Sequence, residues 1–314
     1  MKEYLSYYSA AALWNIPYID KLLGYDEIGK IEFTVSERNV RGLKRDGKTH
    51  LSELVLPAGA VVKKAGVMVA SPELLFLQLA CRLDIHRLIL LGLQLCSHPP
   101  GNPSGAITTK KKLKAFLAKT PGHRGHRKAL RALKYIENGS ASIMESLAFM
   151  ILTLPNALGG YGLDGAVFNY EIKLKDEASK RFGQKRCFTD LYYESEKLAV
   201  EYESFAFHSS PSEQGKDVMR AAFLKRQRIE VMRLTTIQLY DQNACRDFAC
   251  ILAGRIGKRI QIRAKKFDQM HALLLTLLPA GKPIAKPDDS YFSLKNKTEK
   301  ATAESGSQPL PRKS

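Results

Sequence analysis

Apolar and polar residues alternate from Cys187 to Phe207 on either side of Glu194-Ser195-Glu196-Lys197. Period-two alternation around a short polar run predicts a β-hairpin. The spacing predicts further strands at Ile31–Val35, Val67–Val69, Val167–Leu174 and Ile229–Thr235. Helix signals lie between them. Ser71-Pro72-Glu73 reads as a cap, a first-turn proline and a first-turn acid. The run that follows, Leu74–Cys81, is apolar nearly all round and predicts a buried helix. Asp84 can cap a second helix, Ile85–Leu95, and Ser142-Ile143-Met144-Glu145 opens a third as a capping box. Tyr7–Trp14, Lys110–Ala118, Arg124–Tyr135, Ser212–Gln227 and Thr236–Arg259 complete the helical set.

The order from Glu145 onward is α-β-β-β-α-β-α. It predicts an α/β (α+β) fold with a helix-flanked mixed sheet, preceded by a mostly helical basic region. The expected divisions are 1–70, a small α+β unit; 71–138, a helical basic region; 139–262, the hairpin-bearing domain; 263–284, a basic helix; and 285–314, a disordered tail rich in Lys, Pro, Ser, Glu and Thr.

Charge sharpens this picture. The 314 residues carry a formal net charge of +18, yet residues 139–262 hold 17 basic and 15 acidic side chains. Nearly all the excess therefore lies elsewhere, above all between Ala106 and Ile136, which has ten basic residues and no acid. Lys110, Lys111, Lys112, Lys114, Arg124, Arg127, Lys128 and Arg131 are candidate phosphate contacts; a solvated one-signed face is the alternative. Five scattered cysteines without a CxxC pair read as reduced thiols. No apolar run approaches the roughly 18 residues of a membrane span, and residues 1–8 contain no apolar secretion core. These features predict a cytoplasmic protein with a nucleic-acid partner and no membrane partner. A homodimer and a toxin partner stay open.

The hairpin carries the candidate chemistry. Asp190 falls on its first strand, and Glu201 and Glu203 share a face of the second. Three converging carboxylates repel unless a cation sits between them, and a hard divalent ion, Mg²⁺ or Mn²⁺, prefers such oxygen ligands.

Taken in order, Glu145, Asp190, Glu201-Tyr202-Glu203, His208, Asp217-Val218-Met219-Arg220 and Val231-Met232-Arg233 resemble a very-short-patch-repair-like endonuclease domain of the PD-(D/E)XK restriction-endonuclease-like superfamily, over roughly residues 139–262. The resemblance implies a Mg²⁺-dependent DNA endonuclease. Asp190 and Glu201 would hold the metal and Glu145 would complete the site. Glu203 would be a third ligand or orient the water, and His208 would activate water or contact the scissile phosphate. Arg220 and Arg233 would reach phosphate, although Asp217 and Arg220 also suit an intrahelical pair. Glu203-Ser204 stands where the superfamily has Lys and related groups have Asp-Gly, and Arg228 replaces a usual Gly. A nuclease-fold protein that binds DNA without cutting it, or acts as a defence regulator, is the alternative. The segment with His50, Leu56-Pro57 and Ser71-Pro72 is similar to one preceding such domains in actinobacterial proteins, which themselves resemble antitoxin and abortive-infection regulators.

Overall fold

The computed structural model describes residues 3–23, 31–36, 47–52, 54–173, 186–203 and 211–280, the side chains of 211–217 excepted. His208, the Asp217 side chain and the expected tail therefore lie outside the described residues.

Residues Met1–Leu277 cluster as one unit and contain two mixed sheets, each flanked by helices. The first sheet joins β1 (Glu3–Leu5), β2 (Ile31–Val35), β3 (Gly47–Leu51), β4 (Val61–Lys64) and β5 (Val67–Ala70) in the order β3-β2-β1-β5-β4. The three-residue β1 lies at its centre, antiparallel to β2 and parallel to β5. α1 (Tyr7–Leu13) follows β1, and α2 (Ile19–Leu23) follows α1.

α3 (Pro72–Leu79) and α4 (Ile85–Leu95) start where their caps predict: Ser71 Oγ accepts the Leu74 N–H at 3.2 Å, and Asp84 Oδ1 accepts the Arg87 N–H at 2.9 Å. Leu74 to Leu77 and Leu88 to Leu91 are each at most 2% exposed, so these helices form a core rather than a surface. The basic helices α5 (Lys110–Ala118) and α6 (His126–Leu133) pack on them through Leu113, Phe116, Leu117, Ala129 and Ala132. α6 starts two residues later than the spacing predicts because Gly125, at φ +87°, stands at its N-cap. A Cβ there would lie 2.9 Å from the Cys81 nitrogen, so the glycine lets this loop close against the end of α3.

The second sheet joins β6 (Ala166–Lys173), β7 (Arg186–Tyr193), β8 (Leu198–Glu203) and β9 (Glu230–Thr235) in sequence order. β6, β7 and β8 form antiparallel pairs. β8 and β9 run parallel, joined through α8 (Pro211–Arg226). The polar turn at Glu194–Lys197 closes the expected hairpin, with Lys197 at φ +50°. α7 (Ile143–Thr153) covers one face through Phe149 against Phe168, ring centroids 4.6 Å apart. α8 covers the other through Phe223 and Leu224 against Tyr192 and Ala199.

The expected single helix over 236–259 is two helices. α9 (Thr236–Tyr240) opens with a capping box between Thr235 and Gln238. α10 (Gln242–Arg255) restarts because Asp241 accepts the Ala244 N–H at 2.7 Å. The basic helix expected over 263–284 is shorter, α11 (Phe267–Leu275). Among the described residues no helix is long and apolar enough to cross a membrane.

Candidate active site

The hairpin ladder is regular from Tyr193↔Leu198 to Leu191↔Val200 and then changes character. At the next position the Asp190 side chain intervenes: its Oδ2 accepts the Tyr202 N–H at 2.8 Å. A guanidinium from α8 fills the space beside it. Arg220 Nη2 donates to Glu201 Oε1 at 2.8 Å and also to the Phe188 carbonyl. Glu201 faces Arg233 across the parallel β8–β9 ladder, and Glu203 faces Thr235. Arg233 Nη1 lies 3.0 Å from Glu203 Oε1.

Glu145 approaches from the first turn of α7. Ser142 Oγ accepts its N–H at 3.1 Å, and its Oε2 accepts the Ala141 N–H at 2.9 Å and an Asn169 Nδ2 hydrogen at 3.0 Å. Asn169 Nδ2 also donates to the Gly139 carbonyl at 2.7 Å. Asn169 sits on β6 at φ +45°, a conformation that asparagine tolerates better than most residues. Only half of the expected capping box forms: Ser142 caps the helix, but Glu145 reaches past the Ser142 N–H to that of Ala141, and its carboxylate lies toward the hairpin.

Three carboxylates form one electrostatic group. Burial pushes the Glu201 carboxyl up to about 7; Arg220 opposes this, and Asp190 and Glu145 reinforce it. The Asp190 carboxyl is raised by burial, against the Tyr202 N–H and Arg220. Glu145 is raised by burial, against the Ala141 N–H, with Asp190 adding to the rise. Asp190 and Glu201 each use one oxygen in the hydrogen bonds among the described residues, whereas the Glu145 carboxylate is reached by Ala141, Asn169 and the Ser142 side chain. Partly buried, mutually repelling acids with raised proton affinity are an arrangement found at functional sites.

Glu201 and Glu203 both line a cleft of about 370 Å³ with Arg220, Arg233, Leu224 and Val231, as their shared strand face predicts. Convergence of Asp190, Glu201 and Glu203 on one point is not what the structure shows. Glu203 is 46% exposed and paired with Arg233, and Glu145 takes the third place in the coupled group. The physical reason is position: Glu203 ends β8, where the exposed Arg233 pairs with it, whereas the first turn of α7 directs Glu145 inward.

Among the described residues, no three His, Cys, Asp or Glu side chains close on a single ligating point. Asp190 and Glu201, each using one oxygen in a described hydrogen bond, are the two carboxylates left to offer oxygens to a hard divalent ion, two ligands rather than a closed site. Mg²⁺ commonly takes one or two protein carboxylates when phosphate and water supply the rest.

The basic helices do not line this cleft. Lys110 Nζ pairs with Glu137 at 2.5 Å, and Lys128 Nζ donates to the Leu83 carbonyl at 2.9 Å. Lys111, Lys112, Lys114, Arg127 and Arg131 sit on the same two helices, and Arg124 lines a separate cavity. α5 does touch the site's frame: the Lys110 N–H donates to Asn138 Oδ1 at 2.8 Å, next to the Gly139 carbonyl that Asn169 holds.

Sequence reasoning overlooked Asn169 and the Tyr202 N–H. A lone Asn in the apolar first half of the strand, between Phe168 and Tyr170, was the available signal. The sequence matches no protein-family model, no curated protein and no solved structure.

Proposed function

We propose that this chain is a divalent-metal-dependent nuclease that cleaves DNA phosphodiester bonds with Asp190 and Glu201 as the metal-holding pair. The observation that carries the reading is the group Glu145–Asp190–Glu201, one carboxylate buried and two half-buried, assembled from one helix and two strands, with Glu201 lining the cleft. The element order supports it: Glu145 lies on the helix, Asp190 and Glu201 on successive strands, Arg220 on the next helix and Arg233 on the last strand. That is the order that the restriction-endonuclease-like resemblance implies.

A bound Mg²⁺ or Mn²⁺ would supply Lewis-acid polarisation of the phosphodiester and acidify a water. The chain's own groups account for the rest. The Glu201 carboxyl is a site for a proton near neutral pH, and Asp190 and Glu145 both favour its protonated form. Arg220 and Arg233 line the cleft and would meet the phosphates, which positions the backbone without reading bases. The basic surface of α5 and α6 would add salt-dependent affinity.

One observation favours a second reading, DNA binding without cleavage. Arg220 already neutralises Glu201, and Arg233 neutralises Glu203, so the acids are balanced by the protein itself.

Plasmid cleavage with Mg²⁺ or Mn²⁺ separates the two. Metal-dependent nicking that disappears in both Asp190→Ala and Glu201→Ala is the expected result. Salt-sensitive DNA binding with no cleavage by the wild type would establish the second reading.

A further inference from the structure

The first sheet builds a second cavity, well apart in sequence from the hairpin and independent of the nuclease reading. Its foundation is Glu32 on β2, 1% exposed. Arg82 grips it with both nitrogens, Nη1 to Oε2 at 3.0 Å and Nη2 to Oε1 at 2.8 Å, and His50 Nε2 lies 3.1 Å from Oε1. The Arg82 guanidinium also sits 4.0 Å from the centroid of the Tyr7 ring, and the His50 ring lies 4.4 Å from that ring. Tyr7 is held at φ +47°. A non-glycine residue in that region costs energy that the surroundings must supply. The result is a rigid aromatic wall with its charges paired internally.

That wall bounds a cavity of about 430 Å³, within the range of small-molecule sites. Leu54, Leu74 and Leu77 supply an apolar side. Thr34, only 2% exposed, lines the cavity with its hydroxyl beside that of Tyr4. Gln78 is held by two long bonds, 3.4 Å to the Tyr7 N–H and 3.4 Å to the Tyr4 hydroxyl, which a better partner could replace. His50 Nδ1 has no hydrogen-bond partner among the described residues, and its ring reaches the cavity. At the rim stands Arg124, exposed, and placed there by the close approach of Gly125 to Ala80 and Cys81.

We propose that this cavity is a binding site for a nucleoside monophosphate. The base would lie between the His50 wall and the leucines, with its polar edge on Gln78 and Thr34. The phosphate would reach Arg124, the rim cation whose charge is not taken up by a carboxylate among the described residues. A planar body, a polar edge and one terminal anion are the three features the cavity is built to receive.

The test is isothermal titration of the full chain with AMP, GMP, CMP and UMP, and separately with adenosine, guanosine and inorganic phosphate. At least one monophosphate should bind, more tightly than its nucleoside or phosphate alone. Arg124→Ala, on the surface and safe for folding, should weaken the monophosphate about tenfold or more and leave the nucleoside unchanged. Asp190→Ala should leave monophosphate binding intact. No binding by the wild type at about millimolar ligand, equal binding by Arg124→Ala, or loss of binding in Asp190→Ala would each overturn the assignment. The last result would place the nucleotide in the hairpin cleft. Because Asp190→Ala disables only the cleft, failure of the nuclease reading and failure of this one give different patterns.

Discussion

Replacing Glu201 by Gln should flatten the dependence of stability on pH between about 4.5 and 7. Burial raises this carboxyl from its ordinary 4.5 to about 7, despite Arg220. Across that window the folded chain keeps a proton that the unfolded chain releases. The stability linked to Glu201 is therefore full below 4.5 and is lost as pH rises through about 7. A tenfold change in proton affinity corresponds to about 1.4 kcal/mol, so the effect is at most about 3 kcal/mol for a group 15% exposed. Asp190 and Glu145 are raised as well, so part of the slope should survive in Glu201→Gln. Arg220→Met should move the other way. It removes the counter-charge and widens the window upward, with a loss at pH 8 of up to about 3–5 kcal/mol. Urea unfolding at pH 5, 6, 7 and 8, extrapolated linearly, measures all three proteins. Mg²⁺ favours the ionised carboxylates and should stabilise the wild type more at pH 8 than at pH 5. Parallel profiles for wild type and Glu201→Gln would show that Glu201 titrates as an ordinary surface acid, and the electrostatic account of the site would fall with it.

The Glu203–Arg233 pair is exposed on both sides, so a double-mutant cycle to Ala should return a coupling below about 1 kcal/mol that shrinks further in 0.5 M salt. Glu32 behaves oppositely to Glu201: burial raises its carboxyl, but hydrogen bonds from His50, Arg82 and the Tyr8 N–H outweigh this and hold it at about 2. Its stabilisation is present above about 4.5 and lost as pH falls through 2, so Glu32→Gln should cost about 3 kcal/mol at pH 7 and much less near pH 2, measured by the same unfolding assay.

Local features were legible in the residues. The hairpin followed from alternation around Glu194–Lys197, and the helix starts at Pro72, Ile85 and Ile143 followed from Ser71, Asp84 and Ser142. A capping side chain acts within three residues, so sequence displays it directly. The break at Asp241 was hidden because apolar spacing continues across it, and only the bond to the Ala244 N–H shows that the helix restarts. Arg220 was ambiguous for a related reason. An acid three residues before it suggests a helical pair, whereas its observed acceptors, Glu201 and Phe188, lie 19 and 32 residues away. The Glu32–Arg82 pair spans 50 residues and depends on a parallel strand pairing that no short pattern announces.

The central position of β1 has a consequence for the order of folding. Residues 3–5 are synthesised before the sheet's other strands, yet their partners are Phe33 to Val35 and Val69. A nascent chain can pair this short segment with β2 after about 30 further residues, but only after about 65 have emerged can the two outer strand pairs be joined through it into one sheet. Pairings of such long range close late and slowly. The β4–β5 hairpin and the helices that follow it can form from local contacts, so they offer the template onto which β1, and with it Tyr7 and the Glu32 network, is finally laid down.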